Sequence, residues 1–350
     1  MGDNYIKGRG SQLNPSNPFL RQDYVTDHIE GLDGELFSAP RTQLFFESPK
    51  GIVNKIESPD LGLSYSINPY QGCEHGCIYC YARNSHQYWG FNAGLDFESK
   101  IVVKKNAPQL LEQFILKKSW NGAPLMLSGN TDCYQPIERE YKITRQILTV
   151  LCKYKQAVGL ITKNSLIIRD IDIFSDMARD NLVHVFFSIN TLNENLRSKM
   201  EPRTASAVKK LNVMDRLASS GIPVGIMNAP VIPGLNHHEI PDIIKAASEH
   251  GATDAGYTVV RLNGSIGKLF QDWVTKNYYD RKDKILNQVA DLHGGQISDT
   301  KWGRRMIGEG NISNIIAQLF SVAKSKYMSG NSMTPLDTTK FRKGGNYVLY

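Results

Sequence analysis

At 350 residues, 41% hydrophobic and 21% charged, the chain has enough apolar side chains for a substantial core and the balance of an ordinary globular protein. No window approaches the ~18 uninterrupted apolar residues of a membrane span. The opening MGDNYIKGRG lacks the apolar stretch of a secretory signal, and Ile6 stands where N-myristoylation wants Ser or Thr. A formal charge of +7 favours anionic partners such as nucleic acid or a phosphorylated ligand, although no dense Lys/Arg block appears.

Residues 1–60 are rich in Gly, Pro, Asn and Ser and read as an extended arm wrapped on the main body. From residue 61 short apolar runs alternate with helical patterns. The expected strands are Ser64–Pro69, Leu125–Ser128, Gly159–Thr162, His184–Ile189, Val224–Val231 and Tyr257–Leu262, rich in Val, Ile and Phe as buried parallel strands are. Ala107–Ser119, Arg139–Tyr154, Arg169–Asp180, Ala207–Gly221 and His238–Gly251 carry apolar residues at three- and four-residue spacing, and Gly251 suits a helix C-terminus. Six β/α alternations over 61–265 predict a parallel sheet curled into a partial or full barrel, with a flat doubly wound sheet as the alternative. Residues 266–350 read as a mostly helical extension that ends in a polar tail.

The densest signal is NPYQGCEHGCIYCYAR, Asn68–Arg83. Five cysteines, an odd number with three clustered, do not make a disulfide framework; they belong to a reducing cytoplasm and to metal or cluster ligation. Cys73, Cys77 and Cys80 form C-x3-C-x2-C, with Gly72 and Gly76 freeing the backbone to turn. Three thiolates hold three corners of a [4Fe–4S] cubane and leave the fourth iron open for chemistry. The competing readings are a structural zinc site, with His75, His86 or Cys133 as the fourth ligand, and a set of inert buried cysteines.

C-x3-C-x2-C with Tyr79 before the last Cys resembles the signature of the radical S-adenosylmethionine superfamily. SGNTDCYQPIERE (128–140), ITKN (161–164), RDIDIF (169–174), EPR (201–203), APVIPGLN (229–236) and GRRMIGEG (303–310) further resemble a bacterial group related to spore photoproduct lyase, often described as DNA-repair photolyase-like. The resemblance implies an α/β partial (β/α)6 barrel of the TIM type. It also implies a [4Fe–4S] cluster that chelates S-adenosylmethionine, and a 5′-deoxyadenosyl radical that abstracts hydrogen from a substrate. A flavodoxin- or ferredoxin-type electron donor and a DNA or RNA substrate are its implied partners, with no membrane involved. Modification of a protein or small metabolite, or nucleic-acid binding with a structural metal centre, are the alternative functions.

On that resemblance Cys73, Cys77 and Cys80 ligate the cluster, and Tyr79 packs against the adenine. Thr131 matches a hydroxyl residue that contacts S-adenosylmethionine in the lyase. Asp132 lies beside it at a strand end, where barrel enzymes carry function and where turn formers also gather. Lys163, ending the third strand, is placed to pair with the cofactor's carboxylate. Ser188, Asn190 and Arg203 are further candidates for ribose or carboxylate contacts. Cys133 is the candidate hydrogen donor, although the lyase's own donor aligns with Gly129; a small buried hydrophobe is the other reading of Cys133. Cys152, mid-helix among Leu and Val, reads as core. Tyr81–Phe91, YARNSHQYWGF, interleaves aromatic and basic residues as stacking surfaces for bases do, or as a packed loop over the cluster does; Arg304 and Arg305 are candidate phosphate contacts.

Overall fold

The structure is a computed structural model and describes residues 5–20, 41–62, 64–330 and 332–344. Its strands are β1 (Gln43–Phe46), β2 (Val53–Lys55), β3 (Tyr65–Ile67), β4 (Tyr70–Gln71), β5 (Lys100–Val103), β6 (Leu125–Leu127), β7 (Val158–Thr162), β8 (Val183–Ser188), β9 (Val224–Val231) and β10 (Asp254–Val259). The main sheet has the order β10-β9-β8-β7-β6-β3-β2. It is parallel from β3 to β10, and β2 pairs antiparallel with β3 at one edge. From β6 to β10 each strand lies beside its successor, so the sheet advances in one direction. A doubly wound sheet reverses at a switch point; this one does not, and its helical crossovers curl it toward a barrel that stays open between β2 and β10. A small second sheet, β1-β5-β4, lies outside it.

The longer helices are α1 (Ala107–Ile115), α2 (Ile143–Lys153), α3 (Ile171–Ala178), α4 (Ala207–Ser219), α5 (Ile240–Glu249), α6 (Ser265–Asn277), α7 (Lys282–Leu292) and α8 (Gly310–Tyr327). Local chemistry marks several ends. Pro108 opens α1, and the Ser206 side chain caps α4 by accepting from the Lys209 N–H. Gly251 adopts φ 86° just past α5.

Three expectations are revised. Arg139–Tyr154 is not one helix: the chain breaks at Lys142, whose φ is 54°, between a short turn Glu138–Tyr141 and α2. The buried Glu138 carboxylate explains the break, because it accepts from the Thr144 N–H, the Tyr70 hydroxyl and Arg169, and so replaces helical bonding there. Arg169–Asp180 begins as a 3-10 turn, Ser165–Asp170, before α3. The last strand starts at Asp254 and ends at Val259, three residues earlier than expected at each end, because Asp254–Gly256 pair with Gly225–Met227 of β9 despite their turn-like sequence. Within the arm 1–60, β1 and β2 form strands, and residues 1–4 and 21–40 lie outside the described residues.

The main core lies between the sheet and α1–α5 and is built from residues such as Leu125, Leu160, Val185 and Ile226 on strands and Ile147, Met214 and Ile243 on helices. A second core forms where Ile266, Leu269, Phe270 and Trp273 of α6 pack on Cys77, Ile78 and Tyr79. The C-terminal extension therefore roofs the cysteine loop. No helix among the described residues is long and apolar enough to cross a membrane.

Candidate cluster and cofactor site

The cysteine loop leaves β4 and crosses the C-terminal mouth of the sheet. Gly72 and Gly76 sit at φ 78° and 68°, where a Cβ would also stand 2.9 Å from the Lys100 carbonyl oxygen and 2.8 Å from the Glu98 carboxylate. Backbone bonds tie the loop down at Cys73 N–H to the Phe97 carbonyl, 2.8 Å, and Ile78 N–H to the Met200 carbonyl, 3.0 Å. Arg83, fully buried, donates to the Cys77 carbonyl at 3.0 Å and pairs with the equally buried Glu98. Glu98 in turn accepts the N–H groups of Gly10 and Ser11, 3.0 and 2.8 Å, so the N-terminal arm is laced onto the loop.

Cys73, Cys77 and Cys80 are unbridged thiols, the first two buried and the third nearly so. Burial pushes all three thiols up, and Cys73 and Cys77 also feel neighbouring cysteines of the set. Buried thiols are costly to ionise, and a bound metal centre relieves that cost. Cations are already in place: the Arg83 guanidinium and the Lys163 ammonium act on both Cys77 and Cys80 in favour of thiolate. Among the described residues no three His, Cys, Asp or Glu side chains converge as ligands of a single ion do. The alternative zinc ligands are occupied or sequestered. His75 Nδ1 faces Asp132 at 3.3 Å and its Nε2 faces Asn164 at 3.2 Å. His86 packs on Phe91 and Phe97, where burial brings its pKa down to about 4. Cys133 is fully enclosed in the main core.

Beside the thiols, strand ends bring four expected residues together. The Lys163 ammonium, at the end of β7, donates to the Ser188 hydroxyl at 2.7 Å and to Glu201 at 2.8 Å, and lies 5.6 Å from the centre of the Tyr79 ring. The Tyr79 hydroxyl donates to Glu201 and accepts from Asn190 Nδ2 at 3.1 Å. Asp132 accepts the Lys163 N–H at 2.7 Å and the Thr162 hydroxyl at 2.8 Å. Burial would raise its pKa, but His75 and these donors hold it below the usual carboxylate value. Arg203 stands apart from Lys163: it is partly exposed, its N–H bonds the His75 carbonyl, and its guanidinium reaches Glu74 at 3.4 Å.

Two residues that sequence reasoning missed complete the network. Glu201 is fully buried, and burial raises its pKa against the pull of Lys210 and Thr204. Lys210, also buried, lies 3.8 Å from Glu201 and donates to the Ser188 carbonyl at 3.0 Å. A signal was present for Lys210: Ala207, Leu211, Met214 and Leu217 make the apolar stripe of α4, and Lys210 falls within it. Its own burial, and the neighbouring Lys210 charge, bring the Lys163 pKa down to about 8 against the pull of Cys77.

Buried polar atoms also lack partners here: the Thr131 hydroxyl and Asn190 Oδ1, just past β6 and β8, and Asn228 Oδ1 within β9. Such orphans are rare in folded proteins and fit a polar ligand at this mouth. Cys133 does not face it: its thiol packs in the main core, pushed well up by burial, next by Asp132. That placement gives it no open face toward a substrate, unlike the role expected of a hydrogen donor. Cys152 packs at the border of the same core.

An open (β/α) barrel that gathers polar side chains and unbridged thiols at its C-terminal mouth is the architecture of an enzyme. The chain belongs to the Radical SAM superfamily, whose family model matches residues 67–247. Among characterised chains it is 26% identical over 227 residues to the Radical SAM Nalpha-GlyT isomerase of Pseudomonas phage M6, covering 60% of this chain and 45% of that one. An uncharacterized protein of Mycobacterium tuberculosis is 29% identical over 230 residues, 65% of this chain and 68% of its own length. Another, from Methanocaldococcus jannaschii, is 29% identical over 238 residues, 68% and 85%. In three dimensions the chain resembles spore photoproduct lyase complexed with dinucleoside spore photoproduct, with a TM-score of 0.61 at 14% identity over 87% of this chain and 86% of that one. A mutant of that lyase with bound AdoMet and the dinucleoside gives the same values. At this identity the likeness is one of fold.

Proposed function

We propose that Cys73, Cys77 and Cys80 hold a [4Fe–4S] cluster, that S-adenosylmethionine binds beside it, and that the enzyme abstracts hydrogen from a nucleic-acid substrate. The observation that carries this reading is the loop of three unbridged thiols, with the Lys163–Glu201 ion pair beside Tyr79 and unpartnered buried polar atoms at Thr131, Asn190 and Asn228. When bound, the two cofactors supply a carbon-centred radical after one electron arrives from a flavodoxin- or ferredoxin-type donor. The chain's own residues do the rest. Lys163 offers an ammonium to the cofactor's carboxylate; Glu201 holds that ammonium, and Asp132 holds the Lys163 backbone N–H. Tyr79 offers a ring face held in place by Glu201 and Asn190. Ser188, Asn190 and Thr131 offer hydroxyl and amide groups to the ribose or carboxylate, and Arg203 braces the cysteine loop through Glu74. The α6 roof excludes water from Cys77. A reducing cytoplasm is the compartment such thiols need.

The net charge of +7 and the fold likeness to a lyase solved with a dinucleoside support the substrate class. The test is anaerobic reconstitution with dithionite and S-adenosylmethionine. The wild-type chain is expected to release 5′-deoxyadenosine and Cys77→Ala is not; cluster-loaded protein that releases none overturns the reading.

A further inference from the structure

The proposed chemistry leaves unused a cluster of arginines and exposed rings at the same mouth. Tyr81, next to the last cluster cysteine, is 51% exposed, and its hydroxyl is tied to the Gly129 carbonyl in the loop after β6. Arg261, two residues beyond β10, holds its guanidinium carbon 5.1 Å from the centre of that ring. Trp302 is 53% exposed and carries Arg305 stacked on it at 3.7 Å. Arg305 is anchored by Asp60 at 2.6 Å and by the Ser58 hydroxyl at 2.8 Å. The short helix Arg304–Ile307 packs on β10, so both ring–arginine pairs belong to one lip.

The charges on this lip do not balance. Asp60 acts on both arginines, but it accepts from Arg305 and the Gly303 N–H and not from Arg261. Among the described residues Arg261 makes no hydrogen bond and no ion pair. It is nonetheless partly buried, and burial, then the neighbouring Arg305, lower its pKa. A half-buried guanidinium without an acceptor is costly. Tyr81 beside it, and Trp302 beside the neighbouring Arg305, supply flat exposed surface, which suits a nucleobase next to a phosphate.

We propose that Tyr81, Arg261, Trp302 and Arg305 form a lip that seats single-stranded nucleic acid, with a base stacked on an exposed ring and a backbone phosphate at Arg261. This rests on the nucleic-acid reading above and deepens it. A base inside a duplex is already stacked on its neighbours, so the lip selects an unpaired or everted nucleotide.

The test is fluorescence anisotropy of a labelled oligothymidylate with the cluster-loaded protein across a salt series, with thymidine monophosphate and a duplex as competitors. Arg261→Gln is expected to weaken binding about tenfold and to reduce the salt slope by about one counterion, while Arg261→Lys restores the slope. Trp302→Ala is expected to weaken binding by about fivefold or more with the slope unchanged. Both variants are expected to release 5′-deoxyadenosine as the wild type does without nucleic acid. Strand affinity unchanged in both variants overturns the lip, as does competition by duplex or monophosphate equal to that by the strand. Failure of the lip with 5′-deoxyadenosine still formed leaves the radical chemistry standing; loss of 5′-deoxyadenosine from the wild type strikes the underlying reading instead.

Discussion

Lys163 shows what a single side chain reveals and conceals. Its position at a strand end made it a visible candidate, because barrel strands deliver function at that end. Its partners were not visible. Glu201 sits two residues from Arg203 in a motif that drew attention to the arginine, yet the carboxylate is the buried group and the arginine the half-exposed one. Which charge of a pair goes inside depends on tertiary neighbours, here Lys163 and Lys210, which local sequence does not encode. The same holds for Arg83, which sequence placed in a basic and aromatic loop and which folds fully inside against Glu98. The Lys163 assignment has a direct consequence. A charge-assisted hydrogen bond is worth about 1.5–3 kcal/mol. Lys163→Ala should therefore weaken S-adenosylmethionine binding by at least about tenfold while iron content stays unchanged, as read by equilibrium dialysis on reconstituted protein. Unchanged affinity removes Lys163 from the cofactor site.

Among elements, the central strands were legible because buried parallel strands are unbroken apolar runs, and Val224–Val231 matches β9 to the residue. Elements whose bounds depend on side-chain capture were not: the break at Lys142 follows from the buried Glu138, 68 residues from the Tyr70 that helps hold it there. The N-terminal arm is a similar case. Its composition gave only an extended segment, but Gly10 lies so close to the cysteine loop that a Cβ would stand 1.8 Å from the Gly76 carbonyl oxygen. No side chain is tolerated there without moving backbone. Gly10→Ala should cost about 1–3 kcal/mol, as overpacking does, and should speed loss of the ~400 nm absorption of the cluster in air. Equal bleaching rates in the variant and the wild type would show that the arm does not seal the loop.

For the molecule as a whole, six β/α alternations predicted a curled parallel sheet, and the strand order bears this out because it advances without reversal. The roof was not legible. Residues 266–350 read only as helical, and nothing in their periodicity showed that Phe270 and Trp273 would pack on Cys77 and Tyr79. Sheet, roof and arm thus enclose one loop from three sides, the enclosure the proposed metal centre would need. The most direct measurement is the metal and acid-labile sulfide content of anaerobically purified protein. The account predicts about four iron and four sulfide per chain, lost together in Cys73→Ala, Cys77→Ala or Cys80→Ala. One zinc per chain with no sulfide would contradict it.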